Sequence, residues 1–105
     1  IFFIIFDGSI PTTKIYEDDK ILAFKDLNPQ ALVHTLIVPK QHICCADEIT
    51  ADNCEIVGYI FSKIPEIAKS LGLENGYRIV NNCGEDGCQS VKHLHFHLLG
   101  GKNMA

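Results

Sequence analysis

A row of three histidines near the C-terminal end of the chain carries the strongest chemical signal in this sequence. In the segment 91–99, histidine alternates with an apolar residue, placing His93, His95 and His97 in step with Leu94, Phe96 and Leu98. Successive side chains of a β-strand point to opposite faces, so the imidazoles would share one face at intervals of about 6.6 Å. Imidazole is a poor strand former and neighbouring charged rings repel, so three at this spacing indicate a functional role.

The row suits phosphoryl or nucleotidyl transfer. One neutral ring nitrogen can attack phosphorus, while a neighbouring imidazole stabilises charge on oxygen or assists the leaving group. Metal binding is the rival interpretation, because H-x-H pairs on a strand can hold zinc and His34 could be a fourth ligand. We expect no metal, because the sequence places no carboxylate or thiolate beside the row and catalytic zinc sites commonly use mixed ligands.

The loop 83–90, which precedes the row, is a candidate phosphate-binding loop. Gly84 and Gly87 would let the backbone turn its N–H groups inward as an anion-binding nest, and Gln89 and Ser90 would add side-chain donors. An ordinary hairpin loop is the alternative, because glycine-containing loops are common between strands. Proximity to the imidazoles favours the phosphate-binding interpretation.

The elements that position these residues alternate along the chain. Strands are predicted over 14–17, 20–25, 34–38, 76–82 and 91–99. Thr50 is a fair N-cap for a helix whose apolar residues recur at helical spacing over 57–71, and Gly72 is suited to end it. The apolar face of the last strand would pack on this helix. The pattern predicts one α+β domain, 1–105, with an antiparallel sheet.

Composition limits the partners. The 105 residues include 13 acidic and 9 basic side chains, a net charge of −4, and 47% are hydrophobic against 21% charged. This composition excludes a disordered or collagen-like chain. The mildly acidic balance argues against nucleic acid or an anionic membrane as the main partner and leaves a small ligand open.

The five cysteines favour reduced thiols. Their number is odd and Cys44 and Cys45 are adjacent, a poor geometry for pairing with each other. We therefore expect a reducing compartment, the cytoplasm, with the nucleus as an additional location. The apolar run IFFIIF at 1–6 is too short to span a bilayer.

The histidine row also carries a family resemblance. HLHFHLL matches the H-φ-H-φ-H-φ-φ signature, where φ is apolar, of the histidine triad (HIT) superfamily. IYEDDKILAFKDLNPQALVHTLIVPKQHI, LGLENGYRIVNN and EDGCQSVKHLHFHLLGG resemble its Hint branch, the histidine triad nucleotide-binding proteins once described as protein kinase C inhibitors. The resemblance implies a HIT-like fold with a five-stranded antiparallel sheet, one long helix and one short helix that includes 1–6. It also implies a homodimer with a ten-stranded sheet.

The resemblance implies a purine nucleoside phosphoramidate hydrolase that splits the P–N bond of adenosine 5′-phosphoramidates without a metal or other cofactor. His95 would attack the α-phosphorus and form a nucleotidyl-histidine that water then hydrolyses. His97 would bind a phosphate oxygen and help to protonate the leaving amine, with Ser90 hydrogen-bonding nearby. His93 would orient His95 through its backbone carbonyl, and His34 would complete the network.

The nucleoside positions are likewise carried over from the resemblance. Asp26 matches a carboxylate that accepts both ribose hydroxyls, which its two oxygens suit. The other matching positions are Leu27, Phe2, Ile5 and Phe24 at the base or purine pocket, and Asn82 and Gln89 at the phosphate or sugar. Plain core is an alternative interpretation of the pocket positions, and for Phe24 it weighs equally.

Three positions depart from the family pattern. Cys83 and Cys88 stand where Glu and Gly are common, and Asn81 replaces an apolar strand residue. Two other functions stay open: a dinucleoside polyphosphate hydrolase of the same superfamily, and a non-catalytic purine-nucleotide-binding or scaffold protein. The helix over 57–71 is a candidate dimer interface, with a role as core cover equally open.

Overall fold

The computed structural model describes residues 13–26, 32–89 and 91–101. Several sequence predictions lie outside these ranges: the short helix at 1–6, Phe2, Ile5, Leu27 and Ser90.

Five strands and one long helix make up the described part of the chain. They are β1 (Lys14–Glu17), β2 (Ile21–Lys25), β3 (Val33–Pro39), α1 (Glu55–Ser70), β4 (Arg78–Val80) and β5 (Phe96–Gly100), with a 3-10 turn at Ala46–Glu48 before α1. The strands form a single sheet in the order β1-β2-β3-β5-β4, and every neighbouring pair is antiparallel. The predicted α+β fold with a five-stranded antiparallel sheet is confirmed.

The long helix forms because one stripe of it is apolar. Its buried residues, Ile60, Ile64, Ile67 and Ala68, recur at helical spacing. Gly72 ends the helix with a φ of +76°. Its N–H donates to Lys69 at 3.1 Å, and the next N–H, of Leu73, donates to the Ala68 carbonyl at 3.0 Å. This paired-bond cap confirms the predicted role of Gly72.

Thr50 does not cap the helix, so that prediction is wrong. The helix begins at Glu55, and the capping position is Cys54, which makes no side-chain cap bond. Thr50 Oγ1 instead accepts the Asp52 N–H at 3.2 Å. With the Thr50 carbonyl accepting the Cys54 N–H at 2.9 Å, this bond closes a separate turn over 50–54, and the helix follows it.

The sheet separates two apolar layers. The layer against α1 includes Ile21, Ala23, Ile37, Leu94, Phe96 and Leu98 together with the buried helix residues. The second layer, on the opposite face, consists of Leu22, Phe24, Leu36 and Val38 with Val91 against it. The apolar partners of the histidine row therefore pack on the helix as predicted.

The last two strands are shorter than the predictions over 76–82 and 91–99. Pairing covers only Arg78–Val80 and Phe96–Gly100. Before β5 the chain bonds elsewhere, with the Leu94 N–H donating to the Ile43 carbonyl at 2.6 Å. His93 and His95 therefore lie on the segment that enters β5, and only His97 lies in the strand.

The β1–β2 turn is tied to the helix through Asp18. One carboxylate oxygen accepts the backbone N–H groups of Lys20 and Ile21, at 2.8 and 2.9 Å. The other accepts the hydroxyls of Tyr16 and of Tyr59, which belongs to α1. Burial opposes ionisation of Asp18, but these hydrogen bonds hold its pKa well below its usual value.

No helix within the described ranges is both long and apolar enough to cross a membrane. All five cysteines are unpaired thiols.

Candidate active site

The sheet face away from α1 brings His34, His97 and Asp26 together. His34 lies on β3 and His97 on β5, where they are diagonal neighbours in the antiparallel register. His34 Nε2 lies 2.8 Å from His97 Nδ1 and 3.2 Å from Asp26 Oδ2. Asp26 directly follows β2, and its N–H donates to the His34 carbonyl at 3.0 Å. A carboxylate therefore does lie beside the row, which corrects the expectation from the sequence.

The position of Asp26 indicates where the hydrogens of this cluster lie. A carboxylate only accepts hydrogen bonds, so the His34 nitrogen that faces it carries the hydrogen. His97 Nδ1 then accepts from His34, and a neutral His97 carries its own hydrogen on Nε2. His97 thus offers an N–H donor on the side away from His34.

Both imidazoles of this cluster are neutral near pH 7. Burial lowers the pKa of His34, against the opposing effect of Asp26. Burial, with the neighbouring His95 and His34, lowers the pKa of His97 to about 4. The resident donor at His97 is therefore a neutral N–H and not a cation.

His95 is oriented by the backbone of its own segment. Its Nδ1–H donates to the His93 carbonyl at 2.7 Å, so Nε2 carries the lone pair. The side chain is 6% exposed, and its ring centroid lies 5.1 Å from that of His97. The bond between His93 and His95 that the resemblance implied is present, and it selects the tautomer that a nucleophilic Nε2 requires.

His93 is held by a fifth histidine that sequence reasoning missed. His93 Nε2–H donates to the Pro39 carbonyl at 2.8 Å, so its Nδ1 accepts from His42 Nδ1, 3.2 Å away. Burial is the main cause that lowers the pKa of His93, and the Pro39 carbonyl opposes it. The sequence did place His42 three residues after the end of β3, the strand that carries His34, and this position could have indicated that His42 lies near the site.

The loop 83–89 uses the predicted phosphate donor Gln89 to close itself. The Gln89 side chain is buried; its carbonyl accepts the Gly84 N–H at 2.9 Å, and its amide donates to the carbonyls of Cys44 and Val91 at 2.7 and 3.0 Å. Both amide hydrogens are therefore engaged. Gln89 would reach a phosphate only by giving up one of these bonds.

The predicted anion nest is not formed by the loop N–H groups whose bonds are known. Those of Gly84, Cys88 and Gln89 all bond within the loop. Asn82 Nδ2 also bonds to the loop, donating to the Gly87 carbonyl at 2.7 Å. Gly87 is needed for close packing, since a Cβ there would lie 2.4 Å from the Cys83 carbonyl oxygen. The loop is thus a self-bonded support beside the histidines.

Phe24 lies on the histidine face but inside the second apolar layer. It pairs across the strands with Leu36, which in turn pairs with His97. Its side chain is 2% exposed, which agrees with the plain-core interpretation.

The cluster of Asp26, His34 and His97 also has a donor set that suits a metal. One ligand atom from each residue lies within 4.8 Å of the other two. Two imidazoles and a carboxylate are ligands that zinc accepts, with a fourth position open. Tetrahedral zinc sets its ligand atoms about 3.3 Å apart, so the two ring nitrogens would need to separate slightly.

Comparison with known proteins agrees with this arrangement. Residues 7–104 match the HIT domain. The chain is 50% identical over 97 residues to a 14 kDa zinc-binding protein of Zea mays, covering 90% of this chain and 76% of the relative. A HIT family hydrolase from Legionella pneumophila Philadelphia 1 superimposes with a TM-score of 0.95 at 43% identity, covering 100% of this chain and 95% of that one.

A more distant structure shares the fold. The histidine triad nucleotide-binding protein of Candida albicans matches with a TM-score of 0.85 at 33% identity, covering 97% of this chain and 74% of that one. The HIT domain match covers nearly the whole sequence, and relatives at 43% and 50% identity cover 90% or more of this chain. This chain therefore belongs to the HIT domain family.

Proposed function

We propose that this protein is a purine nucleoside phosphoramidate hydrolase that cleaves the P–N bond of adenosine 5′-phosphoramidates through a nucleotidyl-histidine. The observation that carries the proposal is the His95 Nδ1–H bond to the His93 carbonyl, because it leaves the Nε2 lone pair beside the neutral His97. Membership of a family that includes a hydrolase and a nucleotide-binding protein supports the same reaction class.

In the proposed reaction, His95 Nε2 forms a bond to the α-phosphorus as the P–N bond of the substrate breaks. Positive charge that develops on the His95 ring is stabilised because its Nδ1–H points at the His93 carbonyl. Water then attacks the nucleotidyl-histidine and gives a proton to His97, which is neutral after protonating the leaving amine. The His95–phosphorus bond breaks, AMP is released and the His95 ring is neutral again.

The leaving amine must gain a proton, and His97 is the proposed donor. Its pKa of about 4 keeps it neutral without substrate. A phosphoryl anion beside the ring favours its protonated form and so raises that pKa. In that form Nδ1 also carries a hydrogen and donates to His34 Nε2, which becomes the acceptor of their hydrogen bond. Binding of the substrate thus converts His97 into a general acid. Without substrate, His97 carries no charge on this face of the sheet.

Asp26 is proposed to bind the ribose. Its side chain is 19% exposed, and it has two oxygens, of which Oδ2 is the one that faces His34. An ionised carboxylate can accept from two vicinal hydroxyls. The base contacts proposed for Leu27, Phe2 and Ile5, and the amine contact of Ser90, rest on the family resemblance.

A covalent intermediate gives the direct test. Rapid quench of the wild type with denaturant at alkaline pH during turnover should recover AMP attached to the chain through a P–N bond that later acid treatment cleaves. His95→Ala should form none while still binding AMP, and His97→Ala should still label but about 10² to 10⁴ times more slowly, because it loses only acid and electrostatic assistance. Normal labelling of His95→Ala would assign the nucleophile to another histidine.

Substrate comparison separates the alternatives within the superfamily. We expect turnover of an adenosine phosphoramidate to exceed that of a diadenosine polyphosphate under the same conditions. The reverse order would favour a dinucleoside polyphosphate hydrolase, and tight AMP binding without turnover would favour a non-catalytic nucleotide-binding protein.

Zinc binding at Asp26, His34 and His97 is a second candidate function. It is favoured by the 4.8 Å cluster of ligand atoms and by the zinc-binding name of the maize relative. Zinc held there would occupy the carboxylate and the imidazole that the nucleotide needs, so it would compete with AMP. Phosphoramidase activity should survive EDTA, because the proposed chemistry uses imidazoles and hydrogen-bond donors and no Lewis acid.

Calorimetric titration with zinc tests this site apart from catalysis. His34→Gln should weaken zinc binding at least tenfold, and His42→Asn, which alters a histidine outside the cluster, should leave it unchanged. Equal affinities in all three proteins would exclude the cluster. Loss of activity with EDTA that zinc restores would instead make the metal part of the reaction.

The homodimer is proposed on the resemblance and on the position of β4. This strand lies at one end of the strand order, so two copies could join through it into a ten-stranded sheet. Sedimentation velocity should report a mass of two chains.

A further inference from the structure

Asn81 contacts the backbone of the proposed nucleophile. Its Nδ2 donates to the His95 carbonyl at 2.8 Å. On this side the pairing of β4 with β5 ends at Val80 and His97, and β5 itself begins one residue earlier, at Phe96. His95 therefore lies just before the paired part of β5, and a side-chain amide holds its carbonyl there.

The identity of residue 81 is what makes this contact available. An apolar side chain at this position would carry no donor for the His95 carbonyl. The next residue, Asn82, donates to the Gly87 carbonyl at 2.7 Å. Two consecutive amides at the end of β4 therefore attach this strand to the nucleophile segment and to the supporting loop.

Two hydrogen bonds then determine the orientation of His95. One runs from its ring Nδ1–H to the His93 carbonyl, and the other runs from Asn81 to its own carbonyl. The first sets the ring relative to the segment, and the second sets the segment relative to the sheet. Without the second, the peptide group after His95 can rotate and carry the ring with it. A misplacement of about 1 Å can cost on the order of 10²-fold in rate.

We propose that Asn81 is a positioning residue that fixes the His95 imidazole for attack on phosphorus. This inference rests on the proposed function, since it assumes that His95 is the nucleophile. It goes further in assigning a role to a residue outside the histidine row, on the strand that flanks β5.

The test compares Asn81→Leu, which keeps the side-chain shape but removes the donor, with Asn81→His, whose Nδ1 stands at the same distance along the side chain as Asn Nδ2. Asn75→Leu makes the same chemical change at an exposed position. Asn81→Leu should lower the single-turnover rate of AMP–histidine formation 10- to 100-fold, with the Kd for AMP changed less than threefold. Asn81→His should recover most of the rate, and Asn75→Leu should match wild type.

A second measurement does not depend on catalysis. Exchange of the His95 Nδ1 hydrogen, followed by NMR, should be faster in Asn81→Leu than in wild type, because the carbonyl anchor is lost. Equal exchange in the two proteins overturns the inference, whether or not wild type turns over phosphoramidates. A labelling rate per folded molecule equal to that of wild type also overturns it, leaving Asn81 a purely structural residue. Absence of labelling in wild type defeats the proposed function instead.

Discussion

Three of the four proposed catalytic histidines face a group that can only accept a hydrogen bond. His93 donates to the Pro39 carbonyl, His95 to the His93 carbonyl, and His34 faces the Asp26 carboxylate. Such acceptors determine which ring nitrogen keeps the lone pair. The reactivity of the row is therefore set by its neighbours, two of which are backbone carbonyls that substitution cannot remove.

At this scale the sequence predicted the residue types but not all of their contacts. Alternation along 93–97 indicated which side chains share a face. It could not show Asp26 beside His34, because that contact depends on how β2 and β3 align, or show that Asn81 reaches His95. Contacts across strands need the register, which a single alternating segment does not contain.

Asp26→Asn should weaken discrimination between ribose and deoxyribose. The amide keeps one acceptor oxygen where the carboxylate has two, and charge-assisted hydrogen bonds contribute about 1.5 to 3 kcal/mol, so the kcat/KM ratio should fall about tenfold or more. Turnover of adenosine and 2′-deoxyadenosine phosphoramidates measures this ratio. Asp19→Asn, at an exposed turn position, is the control. A ratio unchanged by Asp26→Asn would remove this residue from the ribose site.

Among the elements, the loop 83–89 contains the clearest local strain. Cys88 has a φ of +61°, which is unfavourable for any residue with a Cβ. Glycine, which the family resemblance places at this position, has no Cβ and adopts this φ without strain. The sequence indicated that Cys88 departs from the family pattern. Only the positive φ shows that a residue with a Cβ is destabilising at this position.

Cys88→Gly should therefore stabilise the protein by about 1 kcal/mol, because relief of the left-handed strain exceeds the added flexibility of the unfolded chain. Cys54→Gly is the control at an ordinary φ of −69°. It relieves no strain, adds unfolded-state flexibility and loses the contact of the thiol with the Ala51 carbonyl. The urea midpoint should rise in the first variant and fall in the second. A lower midpoint for Cys88→Gly would mean that its thiol makes contacts worth more than the strain.

Strand ends were the weakest part of the sequence prediction. Side-chain alternation continues through Leu94, but backbone pairing begins only at Phe96. Alternation of apolar and polar residues predicts which face of the sheet a side chain lies on. It does not predict which carbonyl accepts the hydrogen bond of each backbone N–H. The Leu94 N–H bonds to Ile43, outside the sheet, and so β5 begins later than its pattern.

For the whole molecule, neutral histidines that are buried or partly buried link stability to pH. The pKa values of His34, His93 and His97 are all lowered, that of His97 from 6.5 to about 4. Between these two pH values the unfolded chain binds more protons than the folded one. Acidification from about 6.5 to 4 therefore lowers the free energy of unfolding.

His97→Asn should reduce this dependence. The variant has one fewer histidine that gains a proton on unfolding, so its free energy of unfolding should fall less between pH 7 and pH 4.5. Urea unfolding at several pH values measures both slopes. Equal slopes would mean that His97 takes up its proton in the folded state as readily as in the unfolded state.

The overall architecture was predictable to the level of element types. Period-two and helical patterns sufficed for an antiparallel sheet with one long helix. The order β1-β2-β3-β5-β4 places the last strand inside the sheet, between β3 and β4. This strand order brings His97 next to His34. The periodicity of apolar residues along the chain predicts element types, but it does not predict the order of the strands in the sheet.

The two faces of β5 make the proposed catalysis a measure of strand alignment. Phe96 and Leu98 belong to the layer against the helix, and His97 lies on the opposite face. If β5 shifted its register by one residue against β3, the His97 imidazole would enter the apolar layer against the helix, and Phe96 and Leu98 would leave it. Such a molecule would be inert as well as poorly packed. The fraction of chains that can be labelled with AMP on His95 should therefore equal the fraction in which β5 folded in the correct register against β3.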